Sequence, residues 1–169
     1  MPKALVVFVR SVDKMSGWLG KVLSYLLLFI ITIMLIEAVL RYAFDAPTLW
    51  SMEMSSFTFG AYVILGGAYV LRNGGHVNMD IMYNRWSPRT RTIVNVITFA
   101  LLAIYAVTFI RGGISSTDFS FTFNVTSRSP WAPPLGPIKL IVTVGAGLLL
   151  LQGVAILIRD LATLKGKKI

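Results

Sequence analysis

The chain has 169 residues, 56% of them hydrophobic and 14% charged, with one histidine and no cysteine. That balance fits a polytopic membrane protein rather than a soluble core. It excludes disulfides, thiol catalysis, Cys-ligated zinc and iron–sulfur clusters, and a bis-histidine haem supplied by this chain alone.

Residues 1–20 place Leu5, Val6, Phe8, Val9, Val12, Met15, Trp18 and Leu19 at roughly helical spacing, with Lys3, Arg10, Asp13 and Lys14 between them. Two readings stand. The segment is an amphipathic helix on the inner leaflet with Trp18 at headgroup depth, or a helical extension of the first span bent at Gly17 and Gly20. No small-residue cleavage site precedes Trp18, so the first span itself is expected to target the chain.

A span needs about 20 apolar residues, because a helix rises about 1.5 Å per residue across a hydrocarbon core of about 30 Å. The first span is predicted over 21–42, where Glu37 and Arg41 are the only ionisable side chains beyond Lys21. They are four apart and share a helix face. Near the outer end an ion costs less than at the midplane, so they are either a solvated interfacial pair or a contact to another membrane subunit. An outer turn follows through Pro47 and Trp50, with Ser51 as the expected N-cap of the next helix. Glu53 then falls in its first turn, where the helix dipole favours an anion.

The second span, 52–72, has no ionisable residue between Met54 and Leu71. Ser56 and Gly60 stand at small-xxx-small spacing, followed by Gly66 and Gly67, which marks a face for close helix packing. After Arg72 the chain turns at Gly74-Gly75. Val77, Met79, Ile81 and Met82 then suit a short interfacial helix ending near Trp86. His76 and Asp80 are four apart, but no third ligand is near, so a structural role in the inner loop is expected for Arg72, His76 and Asp80, and no metal or other cofactor. Ser87-Pro88 starts the following helix.

The third span is predicted over 91–111. In the outer loop that follows, Phe119, Phe121 and Phe123 alternate with Ser and Thr, the pattern of an extended or interfacial segment. Asn124-Val125-Thr126 matches a glycosylation sequon that has meaning only in a secretory pathway. Pro130, Trp131, Pro133, Pro134 and Pro137 make a stiff approach to the fourth span, 138–159, with Trp131 as an interface anchor. That span carries Gly145 and Gly147 in a second small-residue patch, and Gln152 as its one strongly polar side chain.

The formal charge of +9 follows this layout. Of 16 basic residues, 12 lie in three alternate segments: before the first span, between the second and third, and after the fourth. The positive-inside rule places both termini and the middle loop in the cytoplasm, which accounts for the charge without nucleic acid. The expected architecture is all-α: one membrane domain over 1–169, with four transmembrane helices and an N-terminal amphipathic or interfacial helix.

Transporters build their sites from broken helices in paired repeats. Here no span has an internal proline, and residues 20–85 and 90–160 show no repeat. The middle of each span is free of ionisable groups, so the chain has nowhere to hold an ion and no enzymatic site. A self-sufficient alternative is a four-span proton-coupled exporter acting as a homodimer. It needs a membrane-buried carboxylate, for which Glu37 is the only candidate. A tetraspan membrane assembly factor is the other alternative.

The order Arg41-Tyr42, Trp50-Ser51-Met52-Glu53, Gly66-Gly67 and Arg72-Asn73-Gly74-Gly75-His76-Val77-Asn78-Met79-Asp80 resembles the small permease subunit (DctQ-type) of tripartite ATP-independent periplasmic (TRAP) transporters. The likeness continues through Ser87-Pro88-Arg89-Thr90-Arg91, Trp131-Ala132-Pro133-Pro134, Pro137-Ile138-Lys139 and the Leu148–Gly153 stretch, and so covers about residues 20–160. Ile141–Gly145 departs from it, since the family tends to have a further proline or glycine there. The resemblance implies a scaffold subunit of the bacterial inner membrane, with membrane lipids around it and two protein partners. One is a large permease subunit that binds substrate and couples its movement to sodium. The other is a periplasmic substrate-binding protein that delivers organic acids. Substrate contacts are expected on those chains, not on this one. Glu37, Arg41, Trp50, Glu53, Ser56, Gly60, Gly66, Gly67, Gly145, Gly147 and Gln152 are the expected subunit-interface residues.

Overall fold

Prolines punctuate this chain. The seven of them, at positions 2, 47, 88, 130, 133, 134 and 137, leave four long stretches without one. A proline inside a helix removes a hydrogen bond and clashes with the preceding turn, whereas at the first helical positions it costs nothing. The computed structural model, which describes residues 3–73 and 87–164, follows that rule. It contains α1 (Lys3–Ala43), α2 (Ser51–Arg72), α3 (Pro88–Thr122) and α4 (Gly136–Leu164). Pro88 stands at the start of α3, where the Ser87 side chain caps the helix by accepting from the Thr90 amide at 3.2 Å. Each of the four helices is long and apolar enough to cross a membrane.

Two helices differ most from their predicted lengths. α1 runs unbroken for 41 residues, about 62 Å at 1.5 Å per residue, twice a hydrocarbon core. Of the two readings of residues 1–20, the structure gives the helical extension. The glycines within it serve close packing. A Cβ on Gly20 would meet the Tyr69 ring of α2, and one on Gly17 would meet the Arg72 guanidinium. α3 continues to Thr122, eleven residues past the predicted end at 111, so Phe119 and Phe121 are helical rather than extended. The Phe–Ser alternation imitates period two, but the 3.6-residue period places Gly113, Thr117 and Ser120 on one face. Gly113 meets Thr143 of α4, and Thr117 and Ser120 are buried. Phe119 and Phe123 remain outside and pack on each other with ring centroids 4.6 Å apart.

The packing is that of helices in lipid. The buried apolar residues are largely small, among them Ala61, Ala68, Ala106, Ala146, Ala155 and Ala162, while Leu35, Leu101 and Ile104 are exposed. Where lipid is as apolar as leucine, only close backbone approach and polar contacts hold helices together. α4 is the central element and packs against α1, α2 and α3. It runs antiparallel to α3, with Gly136 on Phe121 at one end and Gly153 on Phe99 and Leu102 at the other. It runs parallel to α2, with Gly145 on Ile64 and Gly67 on Leu149.

Candidate subunit interface

At its C-terminal end, α1 closes with a residue in the left-handed region. Asp45 has φ 52°, and the Ala46 amide donates back to the Leu40 carbonyl at 3.0 Å. This is the C-terminal closure usually supplied by glycine. The reversal brings Thr48 over Glu37. The Glu37 carboxylate accepts from Arg41 Nη2 at 2.6 Å, from Arg41 Nε at 3.1 Å, from the Thr48 amide at 3.1 Å and from the Thr48 hydroxyl. Ser51 Oγ lies 2.7 Å from Thr48 Oγ1. Ser51 is therefore not the N-cap expected from sequence. It is the first helical residue, buried, with Trp50 at the cap position making no side-chain cap bond. Its hydroxyl is taken by the Thr48–Glu37 chain instead of by α2's free amides.

Glu37 is 6% exposed, and its carboxylate is bound by Arg41 and Thr48. Arg41 keeps 43% of its side chain exposed and sits in the last turn of α1, where a cation suits the helix dipole. Glu53, in the first turn of α2, accepts from the Ser129 hydroxyl and so ties α2 to the α3–α4 loop. That loop is a narrow reversal. The Ser127 amide donates to the Pro133 carbonyl at 2.9 Å and the Leu135 amide to the Val125 carbonyl at 2.9 Å. Replacing Glu37 with Ala is expected to detach this turn from α1 and lower thermal stability in detergent. Glu37→Gln, which still accepts from Thr48, should fall between the two. Equal melting temperatures for all three would refute the tie.

At the other end, a polar network lies under the first half of α1. Gln152 is wholly buried, donates to Asp13 at 3.0 Å and accepts from the Ser16 hydroxyl at 2.7 Å. Asp13 also receives Arg159. Val9 and Val12 pack beside this network on Ala155 and Ile158. Asn95 of α3 donates to Asp160 of α4 at 2.8 Å.

The sequence-predicted interface residues thus divide. Gly66 meets Leu23 of α1, Gly67 meets Leu149, Gly145 meets Ile64, and Gln152 is in the core: these pack helices of this chain on one another. Ser56 is exposed, its hydroxyl bonded to the Met52 carbonyl at 2.9 Å, and a Cβ on Gly60 or Gly147 would meet nothing within 4 Å. Trp50 is 40% exposed. These, with Arg41, face outward. Arg72 lies along Gly17, while His76, Asp80 and the interfacial helix expected near Trp86 lie outside the described residues. Sequence reasoning missed the roles of Asp13, Ser16, Ser129 and Lys139. For Asp13 and Ser16 a signal existed: they are three apart on one helix face, as Gln152 and Arg159 are seven apart.

The sequence of this four-helix chain is matched by known proteins. The family model "Tripartite ATP-independent periplasmic transporters, DctQ component" matches residues 30–163. The "Sialic acid TRAP transporter permease protein SiaT" of Haemophilus influenzae (strain 86-028NP) is 27% identical over 117 residues, 69% of this chain and 18% of that protein. The "Putative TRAP transporter small permease protein" of Haemophilus influenzae (strain KW20 / Rd) is 26% identical over 113 residues, 64% of this chain and 68% of that protein. The chain therefore spans under a fifth of one relative's length and about two thirds of the other's. With the match running from the last third of α1 through α2 and α3 to the end of α4, this chain belongs to the DctQ-component family of tripartite ATP-independent periplasmic transporters.

Proposed function

We propose that the chain is a scaffold subunit in a bacterial inner membrane, with both termini cytoplasmic. It holds a large permease subunit that takes up organic acids in a sodium-coupled manner from a periplasmic binding protein. The observation that carries this reading is the use of its carboxylates. Asp13, Glu37, Glu53 and Asp160 all lie outside the middle of the predicted spans and are bound by partners in this chain. No Asp, Glu, Lys, Arg or His occurs in 54–71, 92–110 or 140–158. Intramembrane ionisable residues mark ion and substrate paths, and a chain that keeps its own outside the span centres supports a path built elsewhere. The relative of which this chain covers only 18% adds support, since such a segment there is part of a much longer permease protein.

The proposed docking surfaces are Ser56 and Gly60 on α2 and Gly147 on α4, small residues with no neighbouring helix against them, with Arg41 and Trp50 toward the outer end. The test is co-purification of a tagged full chain from native membranes in mild detergent, with mass spectrometry. A stoichiometric partner with many more spans is expected, and Gly60→Leu should reduce its recovery without changing the stability of this chain. A homodimer that transports when reconstituted alone would overturn the proposal and favour the exporter reading.

A further inference from the structure

Lys139 is placed where helix electrostatics do not explain it. It lies in the first turn of α4, at the positive end of the helix dipole, where a cation is disfavoured. Its ammonium is partly buried and donates to a neutral partner, Ser120 Oγ, at 2.7 Å. The ion pairs among the described residues are Arg41–Glu37 and Arg159–Asp13, so Lys139 has no carboxylate. An ammonium has three donors, and one is used. The nearest charged residues on α3 do not supply the balance. Arg111 is itself a cation, and Asp118 is two residues from both Ser116 and Ser120, a turn of about 200° to the far side of the helix.

Beside this ammonium is a groove of about 370 Å³ between α3 and α4. Its walls are Phe109, Gly112 and Ser116 on α3 and Ile138, Val142 and Thr143 on α4, with Lys139 also lining it. Because α3 and α4 are antiparallel, Ser116 and Lys139 form the outer end and Phe109 and Val142 the deeper one. From Ser116 to Phe109 the groove runs about 10 Å into the span. Gly112 borders open space on this wall: a Cβ there would meet nothing within 4 Å. Gly113, its neighbour, instead holds the helices together against Thr143.

We propose that this groove is a binding site for an anionic phospholipid. The phosphate is bound by the two free donors of Lys139 at the outer membrane boundary, and an acyl chain lies between Phe109, Ile138 and Val142. The headgroup charge offsets both the lone ammonium and the helix dipole, and the apolar walls match the chain below it. The occupant is a lipid rather than free phosphate, because the groove continues from the cation into the span over an apolar surface. The proposal does not depend on the scaffold reading.

The test is native mass spectrometry of the delipidated full chain titrated with phosphatidylglycerol, phosphatidylcholine or inorganic phosphate. One phosphatidylglycerol is expected per chain, bound in preference to phosphatidylcholine and not displaced by millimolar phosphate. Lys139→Gln should weaken binding about five-fold, the loss of one lysine contact with an anionic lipid, and Lys139→Arg should retain it. Gly112→Leu, which fills the groove without touching the Gly113–Thr143 contact, should abolish retention at unchanged melting temperature. Equal retention by wild type, Lys139→Gln and Gly112→Leu would overturn the site. Equal affinity for the two lipids, or displacement by phosphate, would do so as well.

Discussion

Replacing Gly145 with leucine should destabilise the bundle by about 1–3 kcal/mol or more, the usual effect of forcing atoms into a closed contact. A Cβ alone at this position would lie 3.0 Å from the Ile64 side chain and 3.2 Å from its backbone carbonyl carbon. A backbone atom cannot swing aside, so α2 and α4 would have to separate. Gly67 makes the comparison informative. Its Cβ would lie 2.8 Å from Leu149 Cδ1, the far end of a flexible side chain, so Gly67→Ala should be milder than Gly145→Leu. The measurement is the melting temperature of the purified chain in detergent, where a fall of several degrees is expected for Gly145→Leu. An unchanged value would mean that the parallel α2–α4 contact is not what holds these helices.

Gln152→Leu should be comparably severe, for the opposite reason. The residue fits where it is, but its amide serves two buried partners. Its loss leaves the Ser16 hydroxyl without its acceptor and takes one donor from Asp13. A buried group left unsatisfied costs about 1–3 kcal/mol, whereas replacing both partners by apolar groups is nearly neutral. The double variant Ser16→Ala with Gln152→Leu is therefore expected to recover part of the lost stability. Asp13 retains Arg159 throughout. If the double variant is no better than the single one, the Ser16–Gln152 bond is not the reason Gln152 is buried. The same network also holds the first half of α1 to α4, so limited proteolysis near Arg10 and Lys14 should quicken in Gln152→Leu.

The number of spans, the helix starts marked by proline and the pairing of Glu37 with Arg41 were all legible in the residues, because each depends on local rules. Hydrophobic length sets a span, proline cannot sit in a helix interior, and four-residue spacing aligns side chains. The end of α3 was misread because alternating Phe and Ser over five residues satisfies a strand pattern locally, and only packing on α4 selects the helical period. Ser51 was misread for a similar reason. A serine before an apolar helix is a good cap unless another hydroxyl claims it, and Thr48 does so only after Asp45 reverses the chain.

The small residues show the division most clearly. Composition marked Ser56, Gly60, Gly66, Gly67, Gly145 and Gly147 alike as sites of close approach, and nothing in their spacing distinguishes one from another. The tertiary structure separates them. Gly66, Gly67 and Gly145 are covered by Leu23, Leu149 and Ile64, while Gly60 and Gly147 have open space where a side chain would be. The sequence alone determined that this is an all-helical membrane chain with uncharged span centres, since the transfer of apolar and charged groups between water and lipid depends on the residues themselves. Which polar groups satisfy one another, and which small faces remain open to a partner or a lipid, was decided only when helices distant in sequence came together. A contact depends on two surfaces, and each helix carries only one of them.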